Sequence, residues 1–368
     1  MEKIIFEHVP ERALAQEEVT VEVEEPKLIS ARLEEIDYCH VDMYNKLFGF
    51  GKTYPINLPA GMTQEEIKKI WEEKRAGKQN LERYFLFRLS TYHPELSFGR
   101  YVPENKLSIE AILGDYKAFF AGNVKMQELK SQGKLTEQDL AHFMTTTHSI
   151  LGLNVVVELS DGLLYGARSQ FVTQGKGMLL PIAGGFMPDH MPEESRYKNP
   201  NPFISAQKQL ASEAGINVGL DELVYLGIAR DTAGSENPSL MFGLDLSEKY
   251  DSASFMEMQK TAPDRHEHKD WFTIATGDEL YTLFKGEKRF ISSKKTNLIH
   301  PVSPPITDDT TSRAMYGPAD GMGEPVKFML VGLAGAALYL KHKQGNMAFY
   351  KGIAKLHYNC DVHFCQNQ

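Results

Sequence analysis

Apolar residues recur along this chain at two periods, and the period changes near residue 152. The first stretch opens with two β-like runs, Lys3 to His8 and Val19 to Ser30, the second acidic and alternating, which predict strands. Residues 63–76 follow the helical period. Thr63 and Glu66 make a capping box, Ile67, Ile70 and Trp71 form the apolar stripe, and Gly77 supplies a stop. Arg83 to Ser90 predicts a strand. Ser108 to Phe120 and Thr136 to Ile150 predict helices, each with a polar N-cap and spaced apolar positions.

Beyond residue 152 the runs shorten and become more apolar. Leu153 to Leu159 and Leu163 to Ala167 predict two strands joined by a tight Asp161-Gly162 turn. A third run, Met178 to Ala183, stops at Gly184-Gly185. A polar, proline-rich stretch then leads into a predicted helix, Pro202 to Ala214. Asn201 is suited to its N-cap, Pro202 to its first position and Gly215 to its C′ position, and Phe203, Ile204, Leu210 and Ala214 supply the buried side. Strands are expected at Leu223 to Ala229 and Leu240 to Leu246. Residues 297–325, rich in Pro, Thr, Asp and Gly, read as a linker or a long ordered loop, and a helical region runs from Val326 to about Leu356.

A chain of 368 residues exceeds what one core usually organises. The patterning divides it into an N-terminal α+β extension (1–150), a central α/β domain (151–296), the 297–325 segment and a C-terminal helical region (326–368). The net charge of −9 gives no global pull toward polyanions, and the basic run Lys285 to Lys295 reads as a solvated loop, so nucleic acid is not an expected partner. Three cysteines and an N-terminus without a signal-peptide core predict a cytoplasmic protein. The longest apolar stretch, Phe328 to Leu340, falls short of the roughly 20 residues a membrane span needs, and its Gly332 and Gly335 predict a tightly packed buried helix. His357, Cys360, His363 and Cys365 have zinc-binding side chains, but their spacing matches no standard module. His266-Glu267-His268 reads as an exposed polar start to a strand.

Chemistry concentrates between Leu180 and Val218. Gln209, Ser212 and Glu213 share one helix face, and that face follows a Gly-Gly turn at a strand end, where backbone amides can approach an anionic ligand. This segment resembles the box of the Nudix hydrolases. Lys208 to Ile216 lies over its second half, Gly184-Gly185 over its opening glycine, and Gly162 to Arg168 over the preceding strand. The box is degenerate. Lys208 stands for an Arg, Gln209 for a Glu, and Ser212-Glu213 for a Glu pair, and Gly185 precedes Lys208 by 23 positions, a longer loop than the family's spacing.

The resemblance implies a Nudix-like α/β/α sandwich with a mixed sheet. It also implies cleavage of a nucleoside diphosphate linked to another group by metal-activated water, that is, a pyrophosphohydrolase using Mg²⁺ or Mn²⁺. On that reading Glu213, Gln209 and Ser212 take the catalytic positions. Arg168, Gly184, Gly185 and Lys208 bind substrate, and Glu213 is joined at the metal by Glu194 and Glu267, with Asp189 and Glu193 as further acids. The alternative reading is an inactive Nudix-fold module that binds a nucleotide or a protein partner. A homo-oligomer remains open.

Overall fold

Alternation along four neighbouring strands sorts the side chains into two layers of core. In a computed structural model, the protein is described over residues 3–23, 62–76, 85–89, 101–102, 106–146, 150–169, 178–192, 199–231, 237–276, 280, 298–299, 329–357 and 360–364. Its strands, in chain order, are β1 (Lys3–His8), β2 (Val19–Val23), β3 (Phe85–Leu89), β4 (Tyr101–Val102), β5 (Lys106–Asp115), β6 (Gly152–Leu159), β7 (Gly162–Arg168), β8 (Leu179–Leu180), β9 (Ile182–Gly185), β10 (Leu223–Asp231), β11 (Ser239–Asp245), β12 (His268–Ile274), β13 (Leu298–Ile299) and β14 (Asp361–Phe364). The helices used below are α1 (Gln64–Ala76), α2 (Tyr116–Ser131), α3 (Glu137–Thr146), α4 (Pro202–Gln209), α5 (Ser252–Gln259), α6 (Leu330–Gln344) and α7 (Asn346–Leu356).

The main sheet runs β13-β12-β7-β6-β11-β10-β1-β14, with β8 on β7 and β9 on β6. It is mixed: β6 pairs parallel with β11 and β1 parallel with β14, and the other neighbours are antiparallel. Leu153, Val155 and Val157 of β6, with Leu240, Phe242 and Leu244 of β11, join one core, together with Phe203, Ala206 and Leu210 from the α4 side and Phe255 of α5. Val156, Leu163, Tyr165 and Met241 point the other way, into a core shared with α6 and α7. Helices therefore cover both faces, and the chain is an α/β protein. Helix α6 is buried from Leu330 through Leu340, as expected of an element that is apolar all round. Among the described residues no helix is long and apolar enough to cross a membrane.

Three parts of the N-terminal segment reach the central core. β1 lies inside the main sheet between β10 and β14. Leu14 exchanges backbone hydrogen bonds with Tyr225 of β10 at 2.9 and 2.8 Å. A second sheet, β2-β5-β3 with β4 on β5, sends Val19, Val21, Leu107, Ile109 and Ala111 into the same core as α4. The helix expected over Ser108 to Phe120 is corrected here: Lys106–Asp115 is a strand, and helix begins only at Tyr116. Leu107, Ile109 and Ala111 are apolar at period two, and Val19 and Val21 sit in register with Leu107 and Ile109, so pairing overrides the helical spacing. The capping box at Thr63 forms as expected, with Thr63 N–H donating to Glu66 Oε2 at 2.8 Å and Glu66 N–H to Thr63 Oγ1 at 3.2 Å.

Several sequence expectations fall outside the described residues. They are Gly77, Glu193 and Glu194, the Lys285 to Lys295 run, Cys39, Cys365 and, apart from β13, the 297–325 segment. Among the described residues no cluster of three or more His, Cys, Asp or Glu side chains could hold a metal ion, and Cys360 is buried with its thiol directed at the Leu356 carbonyl oxygen.

Candidate functional site

The site is built on the last turns of α4. Asn201 caps the helix through its side chain, which accepts from Phe203 N–H at 2.9 Å, and Pro202 occupies the first helical position. The helix then widens into a π turn, Leu210–Ala214, and ends at Gly215 with φ 71°. With Phe203, Ala206, Leu210 and Ala214 committed to the core, Gln209 and Glu213 lie one turn apart beside β9. The Gln209 amide rests directly on Gly184, where a Cβ would stand 1.9 Å from Nε2.

That contact corrects the Gly-Gly turn read from the sequence. Gly184 and Gly185 are the last residues of β9 and lie opposite Leu153 and Gly152 of β6. They pair in a ladder, and the missing side chain of Gly184 makes room for Gln209.

Glu213 is 1% exposed and has a hydrogen-bond partner on each oxygen. Gln209 Nε2 donates to Oε1 at 2.8 Å, and His268 Nε2 lies 2.6 Å from Oε2. Burial pushes the Glu213 carboxyl up to about 7, against the pull of the Arg168 charge and the Gln209 amide. Burial, reinforced by Arg168, pushes the His268 imidazole down to about 3. His268 is therefore neutral at physiological pH, and the contact holds one hydrogen between nitrogen and oxygen. It is a hydrogen bond inside the protein, not an ion pair.

The imidazole is seated on both sides. Its centroid lies 4.3 Å from that of Trp271, and a Cβ on Gly166 would come within 2.1 Å of Nδ1. Next to the pair, Arg168 Nη1 donates to Glu267 Oε2 at 3.1 Å. Burial raises the Glu267 carboxyl, as does the charge on Glu213, while Arg168 opposes both.

Gln209 thus links Glu213 to Gly184, and Arg168, paired with Glu267, acts on Glu213 through its charge. Ser212 does not join them: its hydroxyl donates to Gln209 O at 3.3 Å, and its carbonyl accepts from Asp264 N–H at 2.7 Å. Lys208 is exposed, and its charge helps burial to lower His190 to about 4. His190 Nδ1 lies 3.1 Å from Ser205 Oγ, so the segment that follows β9 packs on α4. No family model and no curated protein matches the chain.

The residue missed from the sequence is His268. Read as an exposed strand start, it is 3% exposed and touches Glu213. Strict alternation misleads here because the β12–β7 register shifts between His268 and Asp270, which turns His268 to the same face as Trp271. A signal was present in Gly166, a glycine inside a strand pattern, which often marks a close approach from elsewhere.

These residues do not fit a divalent cation. Mg²⁺ takes about six oxygen ligands, several of them commonly water. Both Glu213 oxygens are already engaged in hydrogen bonds, Gln209 turns its amide nitrogen toward the carboxyl, and Glu267 is engaged by Arg168.

Proposed function

We propose that the chain is a Nudix-like protein whose box region serves as a binding module and not as a hydrolase. The ligand class is the one the resemblance implies, a nucleoside diphosphate linked to a second group. The order of β7, β9, α4, β10, β11 and β12 supports the Nudix-like reading. Arg168 supplies a partly buried cation beside the box helix, suited to a phosphate once Glu267 yields its place. The observation that carries the non-hydrolytic reading is the closure of Glu213. A carboxyl group that is 1% exposed, accepts from Gln209 on one oxygen and shares a hydrogen with His268 on the other has neither the oxygens nor the access that metal-activated water requires.

The test is a panel of ADP-ribose and dinucleoside polyphosphates, each with and without Mg²⁺ or Mn²⁺. Melting temperature reports binding and phosphorus NMR reports turnover. The expected outcome is stabilisation that is independent of metal, is lost in Arg168→Ala, and comes with no new phosphorus resonance. Metal-dependent products that vanish in Glu213→Gln would establish the hydrolase instead. Absence of any response across the panel would point to a protein partner.

A further inference from the structure

Resting on the non-hydrolytic reading above, we infer that His268 is the residue that closes the box: its imidazole is a built-in plug standing where a cation on Glu213 would have to stand. Nε2 lies 2.6 Å from Oε2, at hydrogen-bonding distance, so no second ligand reaches that oxygen along the same direction while the ring is in place. The ring is held there by shape. Gly166 leaves the space the ring fills, Trp271 packs against it at a tilt of 35°, and the register shift in β12 turns it inward.

Moving the ring aside would leave a buried carboxyl with one partner fewer, in a core where unpaired polar groups are costly. The plug is therefore held shut by the stability of the fold. The corollary is a latent site. Without the ring, Oε2 of Glu213 loses its partner while Gln209 stays on Oε1, and Arg168 and Asp264 are charges acting on the carboxyl. An acid at position 209 then adds the oxygens a hard cation needs.

Four full-length proteins test this: wild type, His268→Ala, Gln209→Glu and the double variant. Manganese binding is read as loss of the free Mn²⁺ EPR signal, with circular dichroism as the check on folding. Wild type and Gln209→Glu should leave the signal unchanged. His268→Ala should reduce it, and the double variant should remove about half or more at equimolar millimolar concentrations. His268→Gln, which keeps an N–H donor for Glu213, should behave as wild type.

Mn²⁺ uptake by wild type that disappears in Glu213→Gln would overturn both the plug and the non-hydrolytic reading. A folded double variant that takes up no Mn²⁺ would overturn the plug alone. Should His268→Ala not fold, the ring of the wild-type protein decides by nitrogen NMR. A plug gives an imidazole resonance unbroadened by excess Mn²⁺, and paramagnetic broadening of that resonance would contradict it.

Discussion

Glu213 and His268 each carry a pH dependence, and the two have opposite signs. A carboxyl raised from 4.5 to about 7 in the fold contributes stability that is complete below its unfolded value and is lost as pH rises through about 7. An imidazole lowered from 6.5 to about 3 contributes stability that is complete above 6.5 and is lost as pH falls toward 3. The pair is therefore most stabilising between about 4.5 and 6.5. Urea midpoints measured from pH 4 to 8 should show the wild type losing stability on both sides of this window. Glu213→Gln should flatten the alkaline side and His268→Gln the acid side. Helix α4 itself was legible, because Asn201, Pro202, Gly215 and the apolar spacing are local signals. The partner of Glu213 was not, because it lies 55 positions away on a strand whose register shift breaks simple alternation.

At the scale of elements, the segment after Lys106 shows where periodicity misleads. Ser108 to Phe120 contains a strand and the start of a helix back to back, and a window that spans both blends two periods into one. Only the pairing partners, β2 and β3, distinguish them. Ile109 is fully buried in the core that also holds α4. Ile109→Ala should therefore cost about 2–5 kcal/mol of the stability of the central core and not only of the small sheet. Trp71 and Trp271 lie in different clusters, so their combined fluorescence and the far-UV signal provide the check. A single lowered transition is expected. Separate transitions would show that the small sheet unfolds by itself.

For the whole molecule, the first and last described strands complete the main sheet side by side. β1 hydrogen-bonds to β10 and β14, and the pairing brings Glu7 onto Arg230, whose Nε donates to Glu7 Oε1 at 2.5 Å with both side chains buried. Removing one partner of a buried ion pair is strongly destabilising, by about 3–5 kcal/mol. A fragment of residues 151–368 loses that acid together with the sheet neighbour of β10. It should therefore fail to unfold cooperatively, whereas the full chain should give a sharp transition. A fragment with a sharp melt would show that the first 150 residues are an appendage. The sequence displayed β1 as a short apolar run but not its neighbours, since parallel pairing with β14 joins residues more than 350 positions apart.

Anomalous diffraction from crystals soaked in Mn²⁺ with ADP-ribose shows whether the His268 imidazole seals Glu213 inside the protein. No anomalous peak is expected at Glu213, with the imidazole still in contact with its Oε2. A manganese peak bonded to the Glu213 oxygens, with the His268 ring turned away, would contradict it.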